Sequence, residues 1–343
     1  MALDVIDLTH ALCRIPSVTG DEAAVANAVE SVLKELGLTP RRQSLGNGRD
    51  NVLAIPDRAR VVLTTHIDTV PPFLPPHDDG EWIVGRGVID AKGIAASMIV
   101  ALERLLKDGV SDVGVLFVVG EETDSDGARA AVQGFLPKVD FLVDGEPTEL
   151  KLCTGMKGVL VFDLECTGKA GHSAYAESGH SAVHQLLADC QRLLAHPWPV
   201  DPFFGPTTLN IGTFDGGVAP NVWAPSAKAR CIMRTTRDAD ELERAIRSLL
   251  SPTTTMTVRS KNGPQRLHSV DGEPTTIVAF GSDVPYLRAA GTPLLFGPGS
   301  ILDAHTPHER VKKQDLVRAV DTYARISRAL VDESKASDAA RPR

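Results

Sequence analysis

The sequence predicts an α/β protein with a second, α+β domain inserted into it, and three features of the chain carry that expectation. Between residues 51 and 145, short β-branched runs alternate with helical patterns, as in a sheet covered by helices. From about Gly158 the order becomes strand, helix, strand, strand, helix, strand, the split pattern of a ferredoxin-like sheet. After Pro264 the first pattern returns and closes on an amphipathic helix.

Taken in order, Thr19 and Glu22 have the spacing of a capping box ahead of Val25, Val29, Val32, Leu33 and Leu36, an apolar helical face that stops at Gly37. Asn51 to Ile55 and Arg60 to Thr65 read as strands, the second as a run buried on both faces. Ala91 to Leu106 reads as a helix, Val113 to Val119 and Phe141 to Val143 as strands, and Gly127 to Gln133 as a helix between them. The inserted domain comes next, as strand Val159 to Cys166, helix Ser181 to Ala195, strands Thr208 to Phe214 and Val222 to Met233, helix Ala239 to Leu250 and strand Thr254 to Val258. Strand Thr276 to Phe280, a helix near Val284 to Ala290, strand Thr292 to Phe296 and helix Gln314 to Val331 complete the first domain. The expected boundaries are 1–157 and 264–333 for one domain and 158–263 for the other, with 334–343 a disordered tail of charge, Ser, Ala and Pro.

With 343 residues, 43% of them hydrophobic, each domain can bury a core of its own. A formal charge of −8 without a basic stripe disfavours nucleic acid as a partner. The five cysteines are odd in number, scattered and free of any Cys-x-x-Cys pair, so neither a disulfide framework nor a thiolate zinc site is indicated. Asp4 and Asp7 depart from the pattern of a secretory signal, and no stretch approaches the ~20 apolar residues that span a bilayer. A cytoplasmic protein with no membrane partner is the expectation.

The chemistry-bearing residues fall at successive strand ends, where ligands of open α/β sheets collect. His66 and Asp68 come directly after a buried strand and should project to the same side; on their own they suit a structural histidine as well as a metal ligand with an orienting carboxylate. Asp90 stands at a helix start, where it can serve as an N-cap or bridge two cations with its two oxygens. Glu121 and Glu122 come after the next strand; side by side they repel when ionised, which a pair of cations relieves. Glu122 is therefore assigned to a metal and Glu121 to general-base work on water, the bland alternative being two solvated acids beside Asp124 and Asp126. Glu146 adds a carboxylate at a further strand end, and His305 a second imidazole. Two histidines and three carboxylates at successive strand ends are hard to account for as caps and solvated loops, and point to a dinuclear oxygen- and nitrogen-rich site. No Gly-x-Ser-x-Gly elbow, Walker loop or His-Glu-x-x-His helix competes with it.

In order along the chain, THIDTV, GRGVIDAKG, GEETDSDGAR, DGEPT, GKAGHSAY and GPGSILDAHTPHE resemble the co-catalytic zinc hydrolase family of acetylornithine deacetylase, succinyl-diaminopimelate desuccinylase, aminoacylase and several carboxypeptidases. The resemblance covers nearly the whole chain. It implies a zinc-peptidase-like catalytic domain with helices on both faces of a mixed sheet, and an inserted lid and dimerisation domain through which a homodimer forms. It implies two Zn2+ ions, with Co2+ or Mn2+ as substitutes, held by His66 and Glu146 on one side and Glu122 and His305 on the other, with Asp90 bridging. Asp68 is then the partner of His66, Glu121 the base and His172 the oxyanion stabiliser, while Asn221 and Arg234 contact substrate, the arginine gripping a carboxylate.

The GEETDSDGAR and GPGSI segments are more similar to acetylornithine deacetylase-like members than to the desuccinylase. The activity so implied is hydrolysis of an N-acyl amino acid, N-acetylornithine first. Alternatives are succinyl-diaminopimelate, N-acetyl-lysine or N-acetylcitrulline as substrate, di- or carboxypeptidase activity, and a non-catalytic binder on a degenerate hydrolase scaffold.

Overall fold

The computed structural model describes residues 2–340. The chain divides into two compact units, one of Met1–Thr154, Leu267–Thr276 and Ser282–Arg343, the other of Gly155–Arg266 and Ile277–Gly281.

The first unit is built on a six-stranded mixed sheet in the order Arg41–Ser44, Asp50–Ala54, Val113–Val118, Val61–His66, Phe141–Asp144, Thr292–Leu295. The last four of these run parallel, and the first two join antiparallel. The VVLTTH strand has every residue buried, which is why it reads as a continuous apolar run rather than an alternating one. On one face its Val61 and Leu63 join Val115, Phe117 and Val143 beneath the helices Val5–Cys13, Ala23–Glu35, Lys92–Lys107 and Lys313–Ala340. On the other, Val62, Leu116 and Leu142 meet the short helices Asp126–Ala130 and Val284–Leu287. The expected architecture, helices on both faces of a mixed sheet, is the one found.

Two local expectations in this unit are corrected, and one further element appears. Thr19 and Glu22 do not form a capping box: the helix Ala23–Glu35 starts without a side-chain cap, the Thr19 hydroxyl donates to Asp68 Oδ2 at 2.7 Å, and the buried Glu22 carboxylate accepts from Arg49 Nε at 3.1 Å. Tertiary partners outcompete the local cap. The tail expected to be disordered from residue 334 is helical to Ala340, because Lys335 pairs with Asp112 at 3.0 Å, Arg60 with Asp338 at 2.8 Å, and Ser334 bonds Asp140. Residues 341–343, the remainder of that expectation, lie outside the described residues. Finally, a hairpin His77–Asp79 with Trp82–Val84 pairs with Arg310–Lys312, an element that no periodicity announced.

The second unit is a four-stranded antiparallel sheet in the order Thr208–Gly216, Ser226–Thr235, Gly158–Thr167, Thr254–Asn262. The helices Ala182–Ala195 and Ala239–Leu249 cover it through Leu186, Leu193, Leu242 and Ile246 packed on Leu160, Phe162, Leu164 and Met233. The strand expected to begin at Val222 begins at Ser226; Pro220 and Pro225, which lack an N–H for a ladder, hold the intervening residues in a loop. All five cysteines are free and buried. Among the described residues no helix is long and apolar enough to cross a membrane.

Candidate active site

Because Val61–His66, Val113–Val118 and Phe141–Asp144 are parallel neighbours, the segments leaving their carboxyl ends emerge along one edge of the sheet. His66 is the last residue of the first strand and lies opposite Val118 of the second. Gly120, at φ +78, turns the chain after Val118 into Glu121 and Glu122; a Cβ there would stand 2.0 Å from Asp126 Oδ1. Gly145 and Glu146 come after the third strand, and the parallel strand Thr292–Leu295 leads on toward His305.

Asp90 sits between the two imidazoles. Its Oδ1 is 2.9 Å from His66 Nε2 and its Oδ2 is 3.1 Å from His305 Nε2. His305 Nε2 is also 3.0 Å from a Glu122 oxygen. One donor atom each from His66, Asp90 and Glu122, and likewise from His66, Glu121 and Glu146, lie within 4.8 Å of one another. The N-cap alternative for Asp90 fails, since Ala91 occupies the cap position of helix Lys92–Lys107 and no side-chain cap bond forms.

Asp68 has a wider part than orienting an imidazole. The His66 Nδ1 lies 3.0 Å from the Asp68 backbone oxygen and 3.4 Å from its carboxylate. The carboxylate oxygens accept from the Glu121 and Glu122 N–H groups, each at 3.2 Å, and from the Thr19 hydroxyl. One fully buried carboxylate thus ties the His66 turn to the turn that carries both glutamates.

Electrostatically these side chains form a strained set. Burial pushes the Glu121 carboxyl well above the ordinary carboxylate range; His66 opposes this, while Asp283, Glu122 and Asp90 add to it. Glu146 is raised in the same way by burial and by the charges of Glu121 and Asp90. For His66, burial pulls down but Asp68 and Asp90 outweigh it, so the imidazole is held well above its usual value. His305, half-exposed, is raised to about 10 by its bonds to Asp90 and Glu122. Buried carboxylates crowded around two imidazoles, with oxygen and nitrogen donors only, suit divalent cations, whose charge would relieve the repulsion.

Two buried acids near this set went unrecognised in the sequence. Burial and Asp144 push Asp283 up to about 8, and burial pushes Asp144 up to about 6. Among the described residues, Asp144 Oδ2 and Asp283 Oδ1 have no hydrogen-bond partner. Asp144 was hidden inside the strand motif DFLVDG and Asp283 inside a turn, GSDVP, neither with a spacing signal of its own.

The remaining candidates belong to the second unit. His172 is bridged to Val222, the Ser173 N–H donates to the Asn221 carbonyl at 3.0 Å, and His172 Nδ1 accepts from the Ala174 N–H at 3.2 Å. His172 and Asn221 therefore sit on adjoining loops. Arg234 lies on the strand Ser226–Thr235, half-buried, with no ion pair among the described residues, and burial lowers its guanidinium pKa.

Comparison with known proteins places this arrangement in a family. A model described as Peptidase family M20/M25/M40 matches residues 62–329, a span that takes in every residue from His66 to His305. A peptidase M20 domain-containing protein of Schizosaccharomyces pombe is 38% identical over 335 residues, covering 94% of this chain and 84% of that one. A protein of Aspergillus terreus named probable carboxypeptidase is 36% identical over 365 residues, covering 93% and 84%. Among solved structures, a tripeptidase from Staphylococcus aureus superimposes with a TM-score of 0.81 at 20% identity, covering 95% of this chain and 98% of that one. An M20 family metallo-carboxypeptidase from Sulfolobus solfataricus gives 0.76 at 17% identity, covering 96% and 99%. The match of sequence across residues 62–329, and of fold across nearly all of the chain, makes this protein a member of peptidase family M20/M25/M40.

Proposed function

We propose that the chain is a two-zinc hydrolase that cleaves the amide bond preceding a free carboxylate, acting as a di- or carboxypeptidase. The observation that carries this is Asp90, with one oxygen toward each imidazole. His66, Asp90 and Glu146 would hold one cation, and Asp90, Glu122 and His305 the other. When bound, such ions polarise the scissile carbonyl and make water acidic enough to attack near neutral pH.

The chain's own groups do the rest. Glu121, held by its backbone N–H to Asp68, takes the proton of the attacking water and returns it to the leaving amine, so no covalent enzyme intermediate is required. His172 donates to the oxyanion, and Asn221 contacts substrate from the adjoining loop. Arg234, lacking a counter-ion among the described residues, grips the substrate carboxylate with paired N–H groups.

The relatives named probable carboxypeptidase favour the peptidase reading over deacylation. The second reading, hydrolysis of an N-acyl amino acid such as N-acetylornithine, is favoured by the GEETDSDGAR and GPGSI segments and uses the same bond and the same carboxylate. An amine-release assay on zinc-reconstituted protein separates them, using dipeptides, longer peptides, their C-terminal amides, and N-acetyl and N-succinyl amino acids. We expect turnover of peptides with a free carboxylate and at least a ~100-fold lower kcat/KM for the amides, as for loss of a charged clamp. Preference for N-acetyl substrates would select the second reading, and inactivity across the panel would refute both.

A further inference from the structure

Glu309 lies four residues beyond His305, and the reaction above gives it no part. Its side chain is fully buried, and all of that side chain's hydrogen bonds among the described residues are with a single loop. Oε1 accepts from the backbone N–H groups of Gly87 at 2.7 Å, Ile89 at 3.3 Å and Asp90 at 3.4 Å. Oε2 takes the guanidinium of Arg86, itself 2% exposed. The backbone carbonyl of Glu309 accepts from the Gly85 N–H at 2.9 Å.

That loop needs such a partner. Residues 85–91 belong to neither a strand nor a helix, so their buried N–H groups have no ladder or helical turn to satisfy them. Gly87, at φ +83, lets the chain fold against the Lys92 side chain, whose Cε would be 2.6 Å from an added Cβ. Lys92 is buried in turn and donates to the Ile15 carbonyl at 2.8 Å. Two buried cations, Arg86 and Lys92, thus accompany two buried anions, Glu309 and Asp90. A carboxylate is the one side chain that can collect several N–H donors and neutralise a guanidinium together.

We propose that Glu309 is a positioning residue: it fixes the loop that presents Asp90 and couples that loop to the segment carrying His305, so that the bridging carboxylate keeps one oxygen toward each imidazole. This rests on the two-cation reading. Among the described residues the Asp90 N–H has no acceptor besides Glu309, so the main chain from which the Asp90 carboxylate reaches the two imidazoles is held by the three backbone bonds that Glu309 accepts.

The test is zinc affinity, measured on metal-stripped full-length protein by competition with a chromophoric chelator, for wild type, Glu309→Gln and Glu309→Asp. Glutamine keeps an acceptor but leaves Arg86 without its counter-charge; aspartate keeps the charge but is one methylene short of the loop. We expect zinc affinity about 10- to 100-fold weaker in both, as for other groups that orient ligands, with kcat reduced and KM within about twofold. Ile326→Val, a core truncation in the last helix, should lower thermal stability and leave zinc affinity unchanged. Wild-type affinity in both folded Glu309 variants would overturn the proposal, as would loss of the folded state in both, which would assign Glu309 to global stability. If the wild type binds zinc but hydrolyses nothing in the substrate panel, the reaction fails and the affinity comparison still decides Glu309; if the wild type binds no zinc, both fall.

Discussion

Glu121→Gln should lower kcat by about 10³-fold while the zinc content and melting temperature stay at their wild-type values, the loss expected when a general base is replaced by an isosteric amide. The substitution preserves the backbone N–H that donates to Asp68, so the turn and its neighbour Glu122 stay in place. The change is confined to the carboxyl assigned to accept and return the proton. Metal content must be measured with activity, because a Glu121 oxygen lies within 4.8 Å of donor atoms on His66 and Glu146. Loss of one zinc along with activity would make Glu121 a ligand, and retained activity would remove it from the mechanism.

Asp90→Ala should have the other large effect. Its oxygens are divided between His66 at 2.9 Å and His305 at 3.1 Å, so truncation takes a donor from both halves of the site. We expect bound zinc to fall from about two equivalents to less than half of one, and kcat/KM to drop by at least about 10³-fold. Replacing His305 or Glu146 instead should remove one equivalent. Retention of both metals in the Asp90 variant would show that the carboxylate does not bridge.

Much of this site was legible because strand-end residues lie beside recognisable strands. The buried runs RVVLTT and VGVLFVV announce a parallel sheet, and parallel strands deliver the residues at their carboxyl ends to one edge, so residues as far apart as His66 and Glu146 could be grouped before any contact was known. The supporting groups of that site that come from far away in the chain were not legible. Thr19 looked like a helix cap, yet its hydroxyl serves Asp68, 49 positions on; Glu309 looked like the end of a histidine motif, yet it holds N–H groups more than 200 positions earlier. Periodicity reports which face of an element is buried and says nothing about which distant polar group meets it. The hairpin at 77–84 escaped for a related reason, since its short strands are stabilised by Arg310–Lys312 and by Arg310 standing 4.4 Å from the Trp82 ring. The helical tail is anchored by acids of other loops, Asp112 and Asp140, which the composition of residues 334–340 does not report.

The choice between peptide and acyl amino acid was also beyond local reading. Both substrates offer an amide next to a carboxylate, and the residues that would tell them apart line the space around the leaving group or acyl group rather than the reacting atoms.

Whether two cations share Asp90 can be seen outright by anomalous X-ray diffraction at the zinc edge, on crystals of the zinc-reconstituted protein. Two peaks about 3.5 Å apart are predicted, flanking the Asp90 carboxylate, one beside His66 and Glu146 and the other beside His305 and Glu122. A single peak, or zinc bound away from Asp90, would contradict the two-cation site.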